Sequence, residues 1–271
     1  NAPHYTPYAR ANSIALSIIN NQPKIAVAGD VLGTNMVVKQ RQRTSPSNTF
    51  ENLVLRPVWN NGAYTDAWVL RFDPDLSPDW GTTMGFHAGH DFGSAVEMDG
   101  TESIFFALKF ENPDLWHAAR MSQIDDTRKV ITDTDQSGVV SQTGGVYHDY
   151  DFHGGSWSLL LKLDTTDTEK GTPVSSYFEP CKLESGESGS TNRIADMAYH
   201  DGQLYVSGEW HHILRPLAHQ QEPSGINHWR RSAALDVWVA RLDAGDLKHK
   251  DWQLYQSSGN DYVSSLTVAI D

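Results

Sequence analysis

Asp66-Ala-Trp-Val-Leu-Arg-Phe-Asp73 returns almost unchanged as Asp236-Val-Trp-Val-Ala-Arg-Leu-Asp243. A looser copy, Ser158-Leu-Leu-Leu-Lys-Leu-Asp164, lies between them. A segment reused inside one chain marks a structural unit stacked on itself, and the fold has to be read through that unit. Short, β-branched and aromatic runs that end at an aspartate read as strands stopped by turns.

Working outward from each copy gives the same order of elements. An opening strand comes first, at Ser13 to Ile18, Gly93 to Met98 and Ile194 to Tyr199. A polar turn follows: Asn20 to Pro23, Asp99 to Glu102 and His200 to Gln203. The two Asp-Gly pairs are strong hairpin signals, because both central positions there can take positive φ. The second strands are Lys24 to Gly29, Ser103 to Leu108 and Leu204 to Gly208. A long polar insertion then separates the second strand from the third, which is the quoted segment. Fourth strands follow at Trp80 to Met84, Val174 to Phe178 and Trp252 to Tyr255. A further opening strand is expected at Val263 to Ile270.

The expectation is an all-β, β-propeller-like fold of four-stranded antiparallel blades. It comprises three blades plus the first strand of a fourth, an incomplete ring. Blade one covers about 12–92, blade two about 93–192, blade three about 193–261, and the next opening strand 262–271. Together they form a single propeller segment over 1–271. Insertions confined to one loop position crowd onto one side of such a stack.

Composition narrows the function. The chain carries 34 acidic against 21 basic residues, a formal net charge of -13, with no dense Lys/Arg run. That is the wrong footprint for a nucleic-acid binder. No apolar stretch has the length of a membrane-crossing helix. Cys181 is the single cysteine, so no internal disulfide forms. Asn1 does not begin a signal-peptide pattern, and a processed chain or a piece of a longer one is expected.

The run Asp66 to Asp75, Trp80, Gly85, Asp91-Phe-Gly93 and Asp99-Gly100 resembles the bacterial-type β-propeller repeat, SBBP-like. Tyr205-Val-Ser-Gly208 after Asp201-Gly202 is similar to the closing hairpin of that repeat. The likeness covers the strands and leaves out the insertions. It implies a propeller fold and an extracellular or cell-surface setting, and says little about activity.

Candidate chemistry sits in the insertions, since loops on a rigid scaffold carry most binding. Asp133, Asp135 and Ser137, with Gly138 sixth, resemble the start of a calcium loop. Gly144 stands where an EF-hand places its bidentate glutamate, so a solvated acidic loop is the plainer reading. No cofactor is expected beyond that calcium. The insertion from Trp210 to Leu235 gathers Trp210, His211, His212, His228, Trp229, Arg230 and Arg231. Aromatic, Arg and His side chains together suit a protein or glycan contact surface. Asp66, Asp73, Asp236 and Asp243 are expected to cap turns, and Trp68 and Trp238 to pack between blades.

No nucleophile, nucleotide-binding or Rossmann fingerprint is present. Two functions are therefore carried forward. One is a non-catalytic propeller segment serving structure or protein contacts in an extracellular or cell-surface assembly, its partners other protein chains or further blades. The other is a carbohydrate-binding or carbohydrate-active propeller that uses the insertions to hold glycans.

Overall fold

The computed structural model describes residues 8–33, 36–41, 50–55, 64–85, 90–111, 120–123, 128–130, 156–164, 172–179, 191–214 and 230–269. Within them every regular element is a strand. The first unit contains β1 (Tyr8–Ile19), β2 (Gln22–Leu32), β3 (Met36–Arg41), β4 (Phe50–Leu55), β5 (Thr65–Phe72) and β6 (Pro78–Gly85). The second contains β7 (Asp91–Met98), β8 (Ser103–Glu111), β9 (Arg120–Gln123), β10 (Arg128–Val130), β11 (Ser156–Asp164) and β12 (Thr172–Glu179). The third contains β13 (Thr191–His200), β14 (Gln203–Leu214), β15 (Arg230–Asp243) and β16 (His249–Tyr255).

Antiparallel pairing runs β1-β2-β5-β6, β7-β8-β11-β12 and β13-β14-β15-β16. Each unit is thus a four-stranded meander in chain order. The strands fall where the alternation of the sequence puts them, with ends longer by a few residues. The insertions hold more structure than their polarity suggested. β3 pairs with β4 as a separate hairpin, and the β9–β10 hairpin of unit two adds to the β6 edge of unit one.

The turns match their chemistry with one correction. Asn20 and Asn21 have φ of 52° and 60°, and Asp201 and Gly202 have 44° and 74°, so both two-residue hairpins use left-handed backbone. The Asp99-Gly100 turn differs, because only Gly100 has positive φ, at 78°. Asp99 instead accepts the Thr101 N–H at 2.8 Å, an Asx turn inside a longer loop.

The meanders stack face to face in sequence order. One apolar cluster joins Ala67, Val69 and Met84 of unit one to Phe106, Leu159 and Leu161 of unit two. A second joins Phe105, Ala107 and Leu160 of unit two to Val206, Trp238 and Leu242 of unit three. Unit two is therefore apolar on both faces, which explains the continuous leucine run Leu159-Leu160-Leu161 where a half-buried strand would alternate.

Within a unit, volume is traded between neighbouring strands. Trp68 lies opposite Gly29, and Trp238 opposite Gly208. A Cβ on either glycine would overlap the indole beside it. At the same place in unit two the pair is Leu108 opposite Leu159, both fully buried. A flat indole over bare backbone and two branched aliphatics are alternative ways to fill one space, so the looser copy at 158–164 keeps a packed position there without a tryptophan.

The fourth opening strand appears in altered form. Residues 261–269 have no ladder partner among the described residues, and Ile270 and Asp271 lie outside them. The segment still alternates: Asp261, Val263, Leu266 and Val268 are half-buried, while Tyr262, Ser264, Ser265, Thr267 and Ala269 are exposed.

Candidate functional site

The described residues converge on the joints between units. At the first joint, His90 Nδ1 accepts the Thr65 backbone N–H at 3.3 Å and lies 2.9 Å from Thr65 Oγ1. At the third, Asn260 Oδ1 accepts the Leu235 backbone N–H at 2.9 Å. Thr65 and Leu235 are equivalent residues, each just ahead of the octet aspartate. His90 and Asn260 each stand just ahead of an aspartate that leads into an opening strand. At the second joint the same place is filled by a single parallel backbone bridge, Ser156 to Thr191. One position in the repeat thus ties the start of each third strand to the link that follows its unit.

Opening strands are also seated by backbone N–H bonds to side chains of the unit before them. The Val96 N–H donates to Ser13 Oγ at 3.1 Å, fixing β7 on unit one. Ile194 N–H donates to Ser158 Oγ at 2.9 Å, fixing β13 on unit two. On unit three, Leu266 N–H donates to Asp196 Oδ2 at 2.7 Å and Val263 N–H to Glu209 Oε1 at 3.1 Å. Ser13 and Asp196 both directly follow the register shift in their first strand. The 261–269 segment therefore rests on unit three by the bond that holds β7 on unit one.

Charged residues mark the outer part of the same interfaces. Arg71, with only 4% of its side chain exposed, donates from Nε to Asp79 at 2.7 Å and from Nη1 to Glu102 of unit two at 2.6 Å. Lys162, its counterpart in unit two, donates to the Ala244 carbonyl of unit three at 2.8 Å. Arg241, the counterpart in unit three, meets Asp251 at 2.6 Å, is 42% exposed, and has a buried Nε with no acceptor among the described residues. Nearer the opening strands, Asp30 is fully buried against Arg10, and Glu209 against Arg193 at 2.9 Å.

Burial raises the Glu97 carboxyl above the usual glutamate range, opposed by the Met98 N–H and reinforced by the Asp196 charge. Asp243 is held below the usual aspartate range, first by the Gly245 N–H and then by Lys250. That contact makes Asp243 a turn cap, as expected. Asp236 accepts the Ser257 N–H at 3.3 Å and so caps the link after β16. Asp73 is instead ion-paired with Lys24.

The residues picked from sequence separate here. Trp210 belongs to the core: it is fully buried in the cluster with Trp238, so a surface contact through it is corrected. It continues the inward alternation of Leu204 and Val206 past Gly208, a signal that reading the strand two residues further would have caught. His211 is half-buried on β14. His212, Arg230 and Arg231 lie on paired strands, at the register shift and the end of the β14–β15 ladder. His228, Trp229, Asp133, Asp135 and Ser137 lie outside the described residues. Among the described residues, no helix is long and apolar enough to cross a membrane.

Missed by sequence reasoning was an aromatic group at the first joint. The Tyr64 ring meets His90 edge-on at 5.6 Å, His90 stacks on Phe92 at 6.1 Å, and Lys109 lies 6.0 Å over the Phe92 ring. These contacts hold one another and the joint. The chain matches no known protein-family model and no curated protein.

Proposed function

We propose that this chain is a β-propeller-like stack of repeats that acts as a non-catalytic structural or protein-interaction module of an extracellular or cell-surface assembly. The recurring joint carries the reading. The same backbone N–H is satisfied by His90 at the first joint and by Asn260 at the third, and a backbone bridge from Ser156 to Thr191 stands at that place in the second. Residues that vary in chemistry while keeping one bond serve geometry. The octet residues likewise go to packing and ion pairs, which supports a scaffold whose insertions make the contacts.

Cross-linking mass spectrometry on intact source cells tests this. Links from the 34–63 and 110–155 insertions to other proteins, together with sensitivity to protease added outside the cell, are expected. Turnover of a polysaccharide panel that disappears on changing one carboxylate would sink the proposal. The glycan reading has lost Trp210 as a stacking platform, because that indole is inside the core.

A further inference from the structure

Unit three presents a face that is covered everywhere else in the stack. Ala67, Val69 and Arg71 of unit one are buried against unit two. Their counterparts Val237, Val239 and Arg241 remain only half-buried. The seat for an opening strand on that face is already filled by 261–269, through Asp196 and Glu209. That segment pairs with no strand among the described residues, and an unpaired strand edge is a template for another strand. The face also holds a charge clue. In units one and two the basic residue at this place reaches an oxygen of the following unit, whereas among the described residues Arg241 reaches its own sheet's Asp251.

We infer that 261–269 and the face beneath it form a docking site for a β-hairpin that adds an antiparallel strand to 261–269, lays apolar side chains over Val237 and Val239, and brings a carboxylate to Arg241. The inference rests on the repeat reading above. Continuity with the first interface defines the occupant's chemistry, since Glu102 stands in the turn that leads into β8, the strand that pairs with β7. A second copy of this chain fits less well. Its unit one would bring the β1–β2 turn Asn20-Asn21, which carries no acid.

The probe is a synthetic peptide copying residues 99–109, which carries both the turn acid and the β8 strand. Fluorescence anisotropy with the whole chain is expected to show saturable binding, and hydrogen exchange at amides 262–269 is expected to slow at least about ten-fold. Glu102→Gln in the peptide and Arg241→Met in the chain are each expected to weaken binding about five-fold, with no further loss when combined. Absence of saturable binding, or equal binding by the Gln peptide, overturns the inference. So does a concentration-dependent dimer whose 262–269 amides are protected without peptide, which would make a second copy the occupant. Failure here leaves the cell-surface cross-linking result untouched, so the two readings fail separately.

Discussion

The two copies of the octet, 66–73 and 236–243, share their pattern and differ in what surrounds them. On β5 the residues from Thr65 to Arg71 are all buried, whereas on β15 buried Trp238, Ala240 and Leu242 alternate with half-buried Val237, Val239 and Arg241. The even-numbered face of β15 meets unit two, and its odd-numbered face lies on the side where 261–269 rests, with no further sheet over it among the described residues. β1 shows the opposite asymmetry: Ala15 and Ile19 are buried towards unit two, while Ile14, Leu16 and Ile18 are 60–70% exposed on the other side. Burial of a repeat residue is therefore set by its place in the stack as much as by its identity.

The sharpest way to break that comparison is at the arginines. Arg71→Met leaves Asp79 and Glu102 without their shared cation, and it is expected to cost about 3 kcal/mol. Arg241→Met removes a mostly solvated pair and is expected to cost less than about 1 kcal/mol. Urea unfolding of both variants checks this, and equal losses would erase the distinction between the copies.

A smaller contrast is expected at the valines. Val69→Ala opens a gap between units one and two, at roughly 2 kcal/mol. Val239→Ala trims a half-covered side chain and is expected to cost about 0.5 kcal/mol. A thermal-shift series across the two positions gives the ratio.

The joint offers a swap between regions. His90→Ala removes the acceptor for the Thr65 N–H, with an expected loss of about 1 kcal/mol. His90→Asn imports the side chain that unit three uses at this place, and it is expected to restore most of that loss. If Asn behaves like Ala, the two joints are not equivalent. Slowed or quickened amide exchange at Thr65 reads the bond directly.

The smallest effect is pH-dependent. The Glu97 carboxyl is raised in the fold by burial, so the native state binds more protons than the unfolded chain above the ordinary glutamate value. Its contribution is then fully favourable below that value and is lost as pH rises through the folded one. Glu97→Gln keeps an acceptor for the Met98 N–H and removes this titration. The variant is expected to match wild type at low pH and to be slightly more stable at neutral pH, as followed by urea midpoints across the range.

The meanders were legible because alternation and turn chemistry are local. Asn20-Asn21 and Asp201-Gly202 announce their hairpins, and the octet announces its strand. The contacts that order one unit on the next were not legible. They join a side chain in a link to a backbone N–H 25 residues away, and nothing in composition marks His90 and Asn260 as equivalents. Trp210 was misplaced for another reason: its histidine neighbours lent it the look of a loop, although its alternation belonged to β14. The insertion hairpin of Met36–Arg41 with Phe50–Leu55 was hidden by the polar residues between its strands.

The joint has a consequence for how this repeat tolerates change. The chain between Thr65 and His90, or between Leu235 and Asn260, contains the third and fourth strands and the link, and excludes the insertion that precedes them. Lengthening an insertion therefore leaves the loop closed by the joint untouched. In unit one the pairing of second with third strand feels it, at about 0.6 kcal/mol for each doubling of loop length, whereas in unit two the β9–β10 hairpin of the insertion is also paired with β6. In unit one, whose insertion hairpin forms a sheet of its own, the spacing of units is in this way insulated from what the insertion becomes, and new recognition loops can be tried there without renegotiating the order of the sheets.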